Sequence, residues 1–249
     1  MNQNIEKLIN IAMNEVGYLE KNSEALIDTK TGNAGTRNFT KYGRDMHKIE
    51  PRVMDYPAPW CDAFVDWCHV MAFGVDTAKK LLHAFDDYTV QSAQYFKNAK
   101  EWFTDAKVGD QVFFWNSAKT EICHTGIVYA VDSSRIYTVE GNTSGASGVI
   151  DNGGGVAKKS YLKNYARIAG FGRPNYAIIK NESEVLTMTQ YEELKKLIET
   201  LTTKVDAIAK ENDRQNGVIQ MVGDDIEALK KGHEKQNEIL YNVRTKVGV

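Results

Sequence analysis

Cys61 stands directly after Pro57-Ala58-Pro59-Trp60, in a run where Trp60, Phe64, Trp67, Cys68 and Met71 recur at helical spacing until Gly74. That spacing predicts a helix with the thiol in its first turn. There it faces unpaired backbone N–H groups and the positive end of the helix dipole, and both favour thiolate, the nucleophilic form. The same N–H groups can hold a tetrahedral oxyanion. Cys68 falls on the apolar side of this helix and reads as a small packed hydrophobe. The base that matches the thiol is His124, in Ile122-Cys123-His124-Thr125-Gly126-Ile127-Val128-Tyr129, a run with strand character. Gly126 leaves space there for a neighbouring side chain. The next run, Arg135–Glu140, follows a short turn and pairs antiparallel, which returns Glu140 toward the start of the first strand. Glu140 and Asn142, two apart with Gly141 between, are expected on one face. A carboxylate or amide at Nδ1 of His124 fixes the tautomer and turns the ring to the thiol, so the chemistry these residues suit is acyl transfer.

The elements that must position them split by composition. All three cysteines, all four prolines and every aromatic residue except Tyr191 and Tyr241 precede residue 180. Within that part, Ile5, Leu8, Ile9, Ala12, Met13 and Val16 predict a helix ending at Gly17, and residues 18–59 read as one long irregular segment. After the Cys61 helix, Leu81–Ala84 and Val90–Ala99 predict two short helices. Gln111–Trp115, Thr125–Val131, Arg135–Glu140, Val156–Tyr161 and Arg167–Phe171 are β-branched or aromatic runs parted by turn residues. Helices first and strands afterwards predict an α+β fold with an antiparallel sheet.

Past the polar stretch at 180–184 the pattern becomes strictly heptad. With Tyr191 at position a, the a and d sites run to Val247 without a break in the 3-4 spacing, and 13 of the 17 are apolar. A repeat that long predicts an α-helical coiled coil and hence a homo-oligomer. Asn212, Gln215, His233 and Gln236 interrupt the seam, and the stretch Asn212–Gly217 leaves a folded-back hairpin open beside a parallel oligomer. The expected organisation is a catalytic domain at 1–180, a linker at 181–190 and a helical segment at 191–249.

Balance of charge excludes some functions. With 31 basic and 33 acidic side chains the net charge is −2, unlike that of a strongly basic nucleic-acid binder. No run of apolar residues is long enough to span a bilayer, so no membrane partner is expected. The start, MNQNIEKLINIAMNEVGYLE, is amphipathic and acid-containing and does not read as a signal peptide. His47, His69, His83 and His233 lack neighbouring ligands for a metal cage. Trp60 and Trp115 read as core or cleft walls.

Pro59-Trp60-Cys61 opening a helix, Val108-Gly109-Asp110 before Val112-Phe113-Phe114-Trp115, His124-Thr125-Gly126-Ile127-Val128, and Val139-Glu140-Gly141-Asn142-Thr143 together resemble the CHAP family of cysteine, histidine-dependent amidohydrolases/peptidases. Gly153-Gly154-Gly155-Val156 and Ile168-Ala169-Gly170-Phe171-Gly172-Arg173-Pro174 are similar to bacterial and phage lysins of this type, and the resemblance covers about residues 1–178. It implies a papain-like fold that cleaves a peptidoglycan amide bond, as an N-acetylmuramoyl-L-alanine amidase or as an endopeptidase of stem or bridge. Cys61 is then the nucleophile, His124 the general base, Glu140 the orienting carboxylate and Asn142 an accessory polar residue. Some phage members hold calcium through closely spaced aspartates. Asp45 and Asp55 are ten apart here and Asp28 has only Asn33 near it, so neither a metal nor another cofactor is expected. The implied setting is a phage endolysin of Gram-positive walls, made in the host cytoplasm and acting on the cell wall. An NlpC-like peptidase, or a virion-associated or structural coiled-coil protein whose CHAP-like domain only binds wall, stands beside it.

Overall fold

The computed structural model describes residues 2–150, 152–179 and 188–247, with backbone alone at 188–191, 241, 243–245 and 247. The 180–184 seam and most of the expected linker lie outside the described residues. The chain divides into two units, Met1–Lys180 and Asn181–Val249.

In the first unit, helix α1 (Gln3–Asn14) is capped by the Asn2 side chain, which accepts from Asn4 N–H at 2.8 Å, and buries Leu8, Ile9 and Ala12. The segment expected to be irregular throughout contains a helix, α2 (Lys41–Ile49). Its cap is Thr40, whose Oγ1 accepts from Gly43 N–H at 3.1 Å, and its buried residues include only two large side chains, Tyr42 and Met46. So sparse an apolar stripe escapes a periodicity reading, although the Thr40 cap was a usable signal. Then come α3 (Cys61–Phe73), α4 (Val75–Leu82) and α5 (Thr89–Asn98). Ten of the thirteen residues of α3 are buried, which makes it the central helix.

The strands are β1 (Trp102–Phe103), β2 (Gln111–Trp115), β3 (Ile122–Val131), β4 (Arg135–Thr143), β5 (Gly155–Leu162) and β6 (Ile168–Gly172). They form one antiparallel sheet in the order β1-β6-β2-β3-β4-β5. The fold is therefore α+β with an antiparallel sheet, and the short edge strand β1 is the strand the sequence reading lacked. Alternation sorts the strand residues between two cores. Phe113, Ile127 and Val139 join the helices in the larger core, with Phe64, Met46 and Leu8. Val112, Phe114, Val128, Ile136 and Tyr161 form a smaller core with Val149 and Phe171.

The second unit is one helix, α6 (Met188–Val247). It runs without interruption through 212–217, so the hairpin alternative does not hold: the glycine at 217 weakens the helix without ending it. Leu194, Ile198, Val205, Ile219, Val222 and Leu229, all seam positions, are exposed. Among the described residues no helix is long and apolar enough to cross a membrane.

Candidate active site

Cys61 is the first residue of α3, held there from behind by Trp60. The Trp60 side chain is 1% exposed, its indole N–H donates to Glu20 Oε2 at 2.9 Å, and its ring stacks on Tyr42 at 5.3 Å. It is therefore a core residue that seats the helix start and not an open platform for a sugar. The Cys61 sulfur is buried, and burial pushes its pKa up, with the Asp62 charge adding to the rise. The backbone N–H groups of Asp62 and Thr125 act on the sulfur as donors would, and oppose that rise without overcoming it. The helix start was expected to favour thiolate; in this site desolvation outweighs the donors and favours the thiol.

Thr125, whose N–H acts on the Cys61 sulfur, follows His124 on β3. The His124 and Glu140 side chains are fully buried, and His124 Nε2 lies 3.0 Å from Glu140 Oε2. Glu140 also accepts from Tyr161 OH at 3.1 Å and from Thr138 Oγ1. Burial and the Glu140 charge both push the Tyr161 pKa up, so this phenol stays protonated and remains a donor. A carboxylate only accepts, so the proton of a neutral His124 ring resides on Nε2 and the lone pair on Nδ1. The expectation put the acid at Nδ1; the two nitrogens exchange places, and the triad logic is unaffected. Nδ1 has no hydrogen-bond partner among the described residues.

Register explains why Glu140 fits. Val139 pairs with Ile127, so Glu140 follows opposite Gly126, where an added Cβ would stand 2.5 Å from Glu140 Cγ. Asn142 departs from the expected alternation. The β4–β5 register slips between Glu140 and Thr143, and Asn142 has φ 53°. This bulge, and not strand periodicity, aims its side chain. The Asn142 amide and Thr143 Oγ1 are buried with no hydrogen-bond partner among the described residues. Such atoms mark where a polar substrate group or water is accommodated. Gly141, between Glu140 and Asn142, lets β4 close on α3, since a Cβ there would sit 2.5 Å from Phe64 Cβ.

The other histidines serve structure. His47 Nδ1 meets the Met54 carbonyl at 2.6 Å, His69 Nδ1 meets the Val65 carbonyl at 2.9 Å, and burial lowers the His69 pKa to about 4. His83 pairs with Glu101. No three His, Cys, Asp or Glu side chains converge as a metal cage among the described residues.

Residues 53–142 match the family model of the CHAP domain, a span that begins ahead of Cys61 and ends on Asn142. The chain carries a CHAP domain. Two solved structures are similar to it at low identity. One is the crystal structure of Ly7917 with the hydrolyzing product of MDP (16% identity, 68% of this chain and 62% of that chain, TM-score 0.37). The other is the crystal structure of Ly7917 (14% identity, 68% of this chain and 62% of that chain, TM-score 0.35). The chain thus spans less than two thirds of the length of that protein. No curated protein matches the chain. Around the CHAP residues the structure adds four side chains that the sequence reading passed over: Asp62, Gln111, Thr125 and Tyr161. For Asp62 a signal existed, since Asp62 and Asp66 are acids one helical turn apart in an otherwise apolar helix.

Proposed function

We propose that this chain is a peptidoglycan hydrolase whose CHAP domain cleaves an amide bond by cysteine nucleophilic catalysis. The observation that carries the reading is the buried His124–Glu140 pair, on the strand whose next N–H lies on the sulfur of the helix-start Cys61. In the reaction, His124 Nδ1 takes the thiol proton as Cys61 Sγ bonds to the amide carbonyl carbon. Unpaired N–H groups at the start of α3 face the oxyanion. The C–N bond then breaks, with the Nδ1 proton passing to the leaving amine. Water, deprotonated by the same nitrogen, hydrolyses the thioester and regenerates the thiol. Glu140 holds the ring and balances the imidazolium charge, and Asn142 supplies an amide for the substrate.

The finer assignment is a phage endolysin acting on Gram-positive walls, supported by the lysin-like motifs at 153–156 and 168–174. The C-terminal helix would present several CHAP domains together through a homo-oligomeric coiled coil. Its support is the exposed seam of α6. Linked catalytic heads bind a polymeric substrate with avidity that one head lacks. Turbidity reduction on Gram-positive walls, wild type against Cys61→Ala, tests the reading: clearing by the wild type alone is expected, and equal clearing by both sinks the nucleophile. Mass spectrometry of the digest then assigns the bond. A free lactyl carboxylate on muramic acid means amidase, and new peptide termini mean endopeptidase.

A further inference from the structure

Asp62, the second residue of α3, is 1% exposed. Its carboxylate accepts from Ser92 Oγ of α5 at 2.5 Å and from Gln111 Nε2, at the start of β2, at 3.0 Å. The same Gln111 nitrogen donates to Thr125 Oγ1 at 3.1 Å, and Thr125 Oγ1 donates to the Val112 carbonyl at 2.8 Å. The direction of this chain is set at Asp62. At the alkaline pH where the thiol titrates, above the Asp62 value, the carboxylate is ionised and has no hydrogen to give, so Gln111 turns its NH2 toward it. The Thr125 hydroxyl receives from that NH2 and keeps its own hydrogen for Val112. Thr125 is thereby clamped twice, by its side chain through Gln111 and by its backbone through pairing with Phe113.

Thr125 is the residue whose N–H meets the Cys61 sulfur, and it separates His124 from Gly126. We propose that Gln111, anchored by Asp62, is a positioning residue for the cysteine chemistry: it keeps the Thr125 N–H on Cys61 Sγ as negative charge develops there. This inference rests on the cysteine-hydrolase reading and extends the site beyond the Cys–His–Glu set. Asp62 acts on the sulfur in two opposed ways. Its charge disfavours thiolate through space, while its hold on Gln111 secures a donor that favours it. The titratable groups that act on the sulfur are Asp62 and Cys123, joined in the proposed mechanism by His124 of β3.

The pH profile of Cys61 alkylation by iodoacetamide, with peptide mapping to separate Cys61 from Cys68 and Cys123, reads the thiol without any substrate. In the full-length chain, Gln111→Met keeps the length of the side chain and removes the donor. It is expected to raise the alkylation midpoint by about one pH unit and to lower kcat about tenfold with KM within about twofold. Thr125→Val, which removes only the hydroxyl, is expected to move the midpoint in the same direction. Asp62→Asn keeps an acceptor for Gln111 and loses the charge, so its midpoint is expected to fall. Midpoints unchanged in Gln111→Met and Thr125→Val, with only a lower Tm, would make the network a strut and overturn the proposal. Should Gln111→Met not fold, Thr125→Val decides alone. Because alkylation needs no peptidoglycan, a chain that fails to clear walls refutes the hydrolase reading and leaves this measurement intact. A chain that clears walls with unshifted midpoints refutes only this proposal.

Discussion

At the scale of single residues, the CHAP site depends on which groups are charged at rest. A buried thiol with a raised pKa needs a base, and in the proposed mechanism the lone pair on His124 Nδ1 serves as that base only while Glu140 holds the proton on Nε2. Glu140→Gln keeps the shape, removes the charge opposite the imidazolium and permits the other tautomer. It is expected to lower kcat by about a hundredfold or more with little change in KM, read from initial rates of wall clearing. Asp62 gives a second prediction with a definite sign. Burial first, then the Asp86 and Asp87 charges, raise its carboxyl to about 7, against about 3.9 in an unfolded chain. Between those values the folded protein keeps a proton that the unfolded chain has released, so this group's contribution to stability is full below about pH 4 and is lost as pH rises to about 7. Asp66, raised by burial and by Asp62, adds to the same slope. Asp62→Asn is therefore expected to gain on wild type in urea midpoint as pH increases from 4.5 to 7.5, and a constant difference across that range would contradict it.

At the scale of elements, the site depends on close approach. Gly126 and Gly141 both lack a Cβ because another element occupies its place: Glu140 Cγ at the first, and Phe64 of α3 at the second. The consequences differ. Alanine at Gly126 pushes on the Glu140 side chain and on the Val139 carbonyl at 3.0 Å, so activity is expected to fall further than thermal stability. Alanine at Gly141 meets the root of the Phe64 side chain and separates β4 from α3, with an expected loss of about 2 kcal/mol by thermal denaturation. If Gly126→Ala keeps full activity, the tight fit of Glu140 against β3 is not required for catalysis. The role of Gly126 was legible from its place two residues after the histidine. The bulge that re-aims Asn142 was not, because a one-residue slip between β4 and β5 depends on Gly155 and Ala157, far along the chain.

For the molecule as a whole, the two units follow different rules. The CHAP domain buries its aromatics in two cores, while α6 leaves its apolar seam exposed in a single chain. An exposed apolar stripe of that length favours being covered, and the proposed cover, to which heptad spacing is suited, is another copy of the same stripe. Light scattering on the full-length chain and on residues 1–184 is expected to show an oligomer and a monomer respectively, and two monomers would remove the coiled coil. With a net charge of −2 the chain has no general attraction to an anionic wall, so under the proposed function avidity is expected to matter more than it would for a basic protein.

The sequence by itself determined the helices-then-strands order, the antiparallel character of the sheet, the helix-start cysteine, and the return of Glu140 toward His124. Each of these follows from local periodicity or from a short turn, which act over neighbouring residues. Only the tertiary structure decided that the thiol is protonated at rest, because desolvation depends on everything packed around Cys61. It also decided which nitrogen of His124 meets Glu140, and that Gln111 and Asp62 stand behind Thr125. Those three side chains come from β2, α3 and β3, and no local pattern relates residues 62, 111 and 125 until the sheet closes on the helix.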